Sequence, residues 1–177
     1  SISLLIEPLQ ADLQINDTQF GLLQGLAFSM FYSLLGLPLG MWCDRSKRVP
    51  LLSLGIFLWS AATIGCALAD SFEELFFARM LVGIGEAALV PCAASLIADY
   101  FDPETRPKAY GTFVTGSSLG TAAAMALSGL FLITANNIIT DYNWAADMRE
   151  WQIVFILCGT PGILLSLILI LTVREPA

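Results

Sequence analysis

The sequence predicts an all-α, polytopic transmembrane helical bundle. Three observations carry that prediction. Hydrophobic residues make up 56% of the 177 residues and charged ones only 13%. Five apolar runs are each long enough to cross a bilayer core, which takes about 20 residues. Bases and acids gather at alternate ends of those runs. Soluble domains carry about 25% charge, so this composition leaves too little polar residue to cover a water-facing surface. The mean hydropathy of +0.74 also excludes disorder, which needs low hydrophobicity and high charge. A net charge of −7 excludes a nucleic-acid partner, because there is no basic excess to displace counterions from phosphates. The chain contains no histidine, the commonest acid/base and metal ligand near neutral pH. Cys43, Cys66, Cys92 and Cys158 stand inside apolar runs with no C-x-x-C spacing, so neither a metal site nor a disulfide framework is indicated.

The runs fall in order along a single N-terminal transmembrane bundle. Residues 1–10 are apolar but too short to span, and lack the basic flank and cleavage site of a signal peptide. They read as the end of a first helix. Complete spans follow at about 20–42, 50–69, 73–98, 108–135 and 151–173. Residues 136–150 read as a loop with one helical turn. Gly159-Thr160-Pro161-Gly162 interrupts the last span and predicts a bend there. No repeat or low-complexity segment stands out.

Junction charge orients these spans. One set of junctions carries Arg45, Lys47 and Arg48, then Arg106 and Lys108, then Arg174. The opposite set carries Asp12, Asp17, Asp70, Glu73, Glu74, Asp141, Asp147 and Glu150, with Arg149 as its one base. The positive-inside rule makes the Arg45–Arg48 and Arg106–Lys108 loops cytoplasmic. Trp144 and Trp151 fall near the outer end of the last span, where aromatic residues anchor at the interface.

Charges inside a span are costly and face protein or a water-filled cavity. Arg79 and Glu86 stand in F-A-R-M-L-V-G-I-G-E-A-A within the third complete span. Seven residues apart, they share one helical face about 10 Å apart along the axis, with Gly83 between them. Arg79 lies nearer the outer end and Glu86 nearer the middle. Hydrocarbon disfavours a charged carboxyl, which makes Glu86 a candidate proton carrier. Arg79 is a candidate holder of an anionic group. The plainer alternatives are a packing hydrogen bond for Glu86, and snorkelling or a structural ion pair for Arg79.

The second constellation is G-L-P-L-G-M-W-C-D-R-S-K-R, Gly36 to Arg48. Gly36 and Gly40 permit close helix contact, and Pro38 permits a bend. Topology alone accounts for the three bases but not for Asp44. That acid is expected to bind the positive end of a neighbouring helix or one of the bases, as a conformational latch. Asp99 sits at a helix C-terminus, where the dipole disfavours an anion, so it requires a cation. Arg45 and Arg48 are the nearest by topology, and an ordinary solvated turn is the alternative. In the fourth complete span, Gly116-x-x-x-Gly120 reads as a packing face. Gln24 and Tyr32 in the first complete span, with Thr112 and Thr115 in the fourth, are candidates for a cavity lining or for interhelical glue.

These residues resemble the major facilitator superfamily, specifically its N-terminal half. The family's loop motif G-x-x-x-D-[RK]-x-G-[RK]-[RK] is matched by Gly40, Asp44, Arg45 and Arg48. Lys47 replaces its glycine and Val49 its final base. The motif R-x-x-x-G-x-G is matched by Arg79, Gly83 and Gly85. The following Glu86-Ala87-Ala88, with S-L-L-I-E-P-L-Q-A-D-L at the start, is similar to the Spinster-like branch. The resemblance implies half of a twelve-helix fold whose second six-helix half is a missing partner. It implies an integral protein of the cell inner or plasma membrane, carrying a small-molecule or lipid-like substrate. Lysolipid-like or sphingolipid-phosphate-like organic anions are the class expected, with a proton gradient as driving force and no cofactor. Glu86 becomes the proton carrier and Arg79 its electrostatic partner. Gly40, Asp44, Arg45, Arg48 and Asp99 become the cytoplasmic gating motif. Two family features are absent: Gly120-Thr121 stands where antiporters have Gly-Pro, and Trp151-Gln152 where Trp-Arg often begins helix six. Symport, antiport and uniport therefore stay open. The expected function is secondary active transport by alternating access, not enzymatic catalysis. The alternatives are a membrane-embedded lipid-modifying enzyme, which would need a convergent nucleophile and base, and a non-transporting helical module.

Overall fold

The computed structural model describes residues 5–142 and 147–176, and these are almost entirely helical. The elements are α1 (Ile6–Leu13), α2 (Asp17–Gly21), a π-helical turn (Leu22–Leu26), α3 (Ala27–Cys43), α4 (Arg48–Cys66), α5 (Phe72–Glu86), α6 (Leu89–Tyr100), α7 (Arg106–Asp141) and α8 (Glu150–Thr172). Four spans are long and apolar enough to cross a membrane: Asp17–Cys43, Arg48–Cys66, Phe72–Tyr100 and Glu150–Thr172. α7 makes a fifth when its Arg106–Ala126 and Gly129–Asp141 parts, bent by 51°, count as one span. α1 is eight residues, about 12 Å, and falls well short of a bilayer core of about 30 Å. Residues 1–4, and with them part of the initial apolar run, lie outside the described residues.

Helix boundaries follow local chemistry. The first full span starts at Asp17 because Asn16 closes a capping box: its Oδ1 accepts from the Gln19 N–H at 2.8 Å, and Gln19 Oε1 accepts from the Asn16 N–H at 3.0 Å. The long apolar stretch 73–98 is two helices. Pro91 has no N–H and its ring crowds the carbonyl four residues earlier. The chain turns at Ala87–Ala88, so α5 ends on Glu86. At Pro161 the outcome differs. α8 runs unbroken through the Gly159–Gly162 stretch, so the expected interruption is not there. α7 also continues as helix to Asp141, where a loop was expected from residue 136. Ile138 and Ile139 explain the extension, because they pack against the core at that end of the bundle.

Between helices in lipid, attraction comes from close packing rather than from burial of apolar surface. Glycines set that packing here, with α4 at the hub. A Cβ at Gly85 would lie 2.6 Å from the Trp59 nitrogen and 2.9 Å from the Gly55 carbonyl oxygen. One at Gly159 would lie 2.7 Å from the Ser60 carbonyl oxygen, and one at Gly162 would meet the Ser60 hydroxyl. α5 and α8 thus dock on two sides of α4. The Ser53 hydroxyl adds a 2.7 Å hydrogen bond to the Ser166 carbonyl across the α4–α8 seam. Gly40 meets Pro91 at an ordinary 3.6 Å, whereas Gly36, Gly116 and Gly120 have nothing within 4 Å. The expected contact at Gly36 and the packing face at Gly116-x-x-x-Gly120 are therefore not met among the described residues. α7 leans on α6 and α8 and leaves its first two-thirds exposed.

The close approach at Gly85 is to backbone, which cannot rotate away. Gly85→Val is expected to cost about 1–3 kcal/mol and to lower the apparent unfolding temperature in detergent. Gly65→Ala, with open space at its Cβ, leaves that temperature unchanged or slightly raised.

Two cores lie at opposite ends. The core at the acidic end joins Leu9, Leu23, Cys66, Leu75 and Phe155 around Trp151. Trp151 is wholly buried, and its indole N–H donates to Asp12 Oδ2 at 2.8 Å. It is not an interfacial anchor: α1 folds over the end of α8 and supplies the acceptor. Trp144 lies outside the described residues. The core at the basic end joins Cys43, Val49, Leu52, Ile56, Cys92 and Leu96.

Candidate functional site

The site is built on α5. Ser71 caps its start by accepting from the Glu74 N–H, and Glu73 and Glu74 sit in its first turn, where the dipole favours acids. Gly85 seats the helix on α4. Gly83 faces the other way: a Cβ there would lie 2.6 Å from the Phe28 carbonyl oxygen of α3. The R-x-x-x-G-x-G spacing is thus a two-sided wedge, one glycine for each neighbouring helix. It holds Arg79 and Glu86 on either side of the α3 contact.

Both side chains are partly buried, and neither is sealed in. They feel each other's charge but make no ion pair within 4 Å. Arg79 also lies near Cys66 at the end of α4. Its Nε is buried and has no hydrogen-bond partner. A buried donor left unpaired in a span is an uncommon expense.

The first span runs parallel to α5, because two antiparallel hairpins separate them. With Phe28 level with Gly83, Gln24 lies near the height of Arg79 and Tyr32 near that of Glu86. Gln24 belongs to the π-helical turn, a local widening that frequently marks functional positions. The Ser29 hydroxyl donates to the Gly25 carbonyl of that turn. Tyr32 stacks on Phe28 with ring centroids 5.6 Å apart. Thr112 and Thr115 are elsewhere. They line an open groove along α7 with Lys108 and Gly116, and the Thr112 hydroxyl donates to the Lys108 carbonyl at 3.0 Å.

At the basic end, Arg48 and Asp99 form an ion pair between the start of α4 and the end of α6. Arg106 Nη2 donates to the Ala98 carbonyl at 2.6 Å, which satisfies another acceptor at the end of α6. Arg45 and Asp44 are exposed and join no ion pair among the described residues. Asp44 does not bind the positive end of α4, contrary to the sequence expectation. It keeps helical backbone angles at the C-cap of α3, and the α4 terminus is already occupied. Glu175 occupies it, accepting from the Arg48 N–H at 2.7 Å and the Val49 N–H at 2.8 Å. The Tyr100 hydroxyl donates to the Arg174 carbonyl beside it. The tail after α8 therefore ties α4 and α6 together. Sequence reasoning missed Glu175. The available signal was an α4 start with no capping side chain of its own, a terminus that needs an acceptor from somewhere.

Fold and site together define a polytopic α-helical integral membrane protein that holds a base and an acid within one span. Comparison with known proteins sharpens that class. The model of the Major Facilitator Superfamily matches residues 1–177, and the chain belongs to that family. It is 32% identical over 158 residues to the sphingosine-1-phosphate transporter SPNS2 of Xenopus tropicalis, covering 86% of this chain and 29% of that protein. It is 32% identical to protein spinster homolog 1 of Homo sapiens, covering 92% and 28% respectively. It is 27% identical to a probable L-galactonate transporter of Escherichia coli K12, covering 94% and 34%. A bacterial homolog of the human lysosomal transporter Spinster, crystallised inward-facing and occupied, superposes with a TM-score of 0.88 at 39% identity. That match covers 99% of this chain and 40% of the other. The chain thus spans about a third of the length of the curated relatives it matches. It corresponds to the N-terminal half of the family fold, with its likeness in the Spinster-like branch.

Proposed function

We infer that this chain is half of a secondary active transporter that moves an organic anion by alternating access, with proton coupling. One observation carries the reading. Arg79 is held inside the third complete span, toward its acidic end, with no ion pair among the described residues and a buried, unpartnered Nε. The side chain as a whole is only partly buried, and a carboxylate or phosphate from outside the chain fits its guanidinium fork. The relatives' names support the class: galactonate is a carboxylate and sphingosine-1-phosphate a phosphate. The Spinster-like relatives favour the lysolipid-like and sphingolipid-phosphate-like members of it.

Glu86 is the proton carrier. When it takes a proton, a mid-span negative charge disappears and Arg79 is free for the anion. A second six-helix half closes the other side of the site, and the two halves rock about it. The Arg45–Arg48 end is cytoplasmic, in a cell inner or plasma membrane. There Gly40, Asp44, Arg45, Arg48 and Asp99 act as the gating motif, with Glu175 holding the tail against it.

Uptake by the full-length protein in proteoliposomes under an inward proton gradient tests the class. Sphingosine-1-phosphate or D-galactonate is expected to enter saturably, and sphingosine or galactose is not. Equal uptake of the phosphate-free or carboxylate-free compound would remove anion recognition from the mechanism.

A further inference from the structure

A second site lies on the far side of the α3–α4 hairpin. Between those helices runs a groove of about 160 Å³, floored by α5. Leu39 and Trp42 form one wall, Leu54 and Leu58 the other, and Gly85 and Ala88 the floor. Every residue lining it is apolar. Trp42 and Leu54 are more than half exposed at its mouth, at 55% and 58%. The groove exists because α4 and α5 meet backbone to backbone at Gly55 and Gly85, with no side chain to fill the seam.

Its position is informative. Trp42 stands three residues before Arg45, and the lining starts on α4 at Leu51, three residues after Arg48. From Leu51 to Leu58 it descends about 10 Å, roughly two-thirds of the acyl depth of one leaflet. At its loop end Arg45 and Lys47 are exposed and join no ion pair among the described residues, while Arg48 is committed to Asp99. Asp44 is exposed in the same loop and leaves it with a net positive charge. An apolar trough ending at two free cations complements a molecule with an acyl chain and an anionic head. The second six-helix half is a poorer occupant. It is needed to shield the glycine, serine and threonine face of α7, whereas this groove offers no polar group to shield.

We propose that the α3–α4 groove binds an anionic phospholipid, with one acyl chain against Gly85 and Ala88 and the phosphate between Arg45 and Lys47. The proposal does not depend on the transport reading, because it concerns lipid retention and not flux. Native mass spectrometry of the full-length protein, titrated with dioleoylphosphatidylglycerol or dioleoylphosphatidylcholine, tests it. The phosphatidylglycerol, whose head group carries a net negative charge, is expected to be retained over the zwitterionic phosphatidylcholine, and Lys47→Gln to cut that preference about fivefold, as for one base near a membrane surface. Leu54→Trp fills the mouth and is expected to lower retention of both lipids, with Leu58→Phe as a second filling variant should the first fold poorly. Equal retention of the two lipids by the unaltered protein overturns the head-group assignment. Undiminished retention in the filled variants overturns the groove.

Discussion

Arg79→Gln is expected to lose organic-anion uptake while keeping the fold. Arg79 stands one turn before the glycines that seat α5 on α3 and α4. Those contacts are made by the glycine backbone at Gly83 and Gly85. Removing the guanidinium also removes a buried Nε that has no partner among the described residues. Its loss is therefore felt chiefly by whatever anion docks there. Truncating one member of a buried, hydrogen-bonded charge pair costs about 2–5 kcal/mol. At about 1.4 kcal/mol per factor of ten, apparent affinity falls at least about 30-fold. Arg79→Lys keeps the charge but not the planar fork, and is expected to fall between the two. Initial uptake rates against anion concentration, beside an unfolding curve for each variant, separate a binding loss from a folding loss.

Glu86→Gln is expected to uncouple transport from the proton gradient without stopping exchange. Glutamine matches the side chain in size and cannot give up a proton. The α5 terminus is set by Pro91, and helix seating by the two glycines, so neither depends on the carboxyl. With that position permanently neutral, Arg79 stays available to the anion in both orientations. Counterflow of labelled anion then persists, while accumulation driven by an inward proton gradient falls to the level seen with no gradient. Gradient-driven accumulation equal to that of the unaltered protein would remove Glu86 from the coupling step.

The parts of this structure legible in the sequence are those fixed by local pattern. Apolar runs marked where membrane-spanning helices lie, though α7 runs six residues past the expected 135. Asp99 needed a cation, and Arg48 supplies one. Features decided by distant contacts were not legible. Trp151 looked interfacial until α1 was seen to bring Asp12 to its indole. Gly159 and Pro161 looked like a break until Ser60 and Ile64 of α4 were seen to fill the space beside Gly159. Glu175 was invisible as a cap because its partners lie more than 120 residues away in sequence. The break after Glu86 was within reach, since Pro91 stands four residues beyond the carbonyl it displaces. Gly116 and Gly120 carry a packing signal that this chain does not consume, in keeping with a surface left for another set of helices.

The account rests on water and a passenger molecule reaching α5 between Arg79 and Glu86. Site-directed labelling reads this directly. In the full-length protein carrying Cys158→Ala, which removes the one exposed thiol among the four of residues 1–177, and with accessible cysteines of the remainder replaced, a Glu86→Cys change places an accessible thiol at the site. A membrane-impermeant methanethiosulfonate is predicted to modify it from one side of the membrane, and saturating organic anion to protect it. A thiol at position 86 that no aqueous reagent reaches from either side, in protein shown to be folded, would contradict the account.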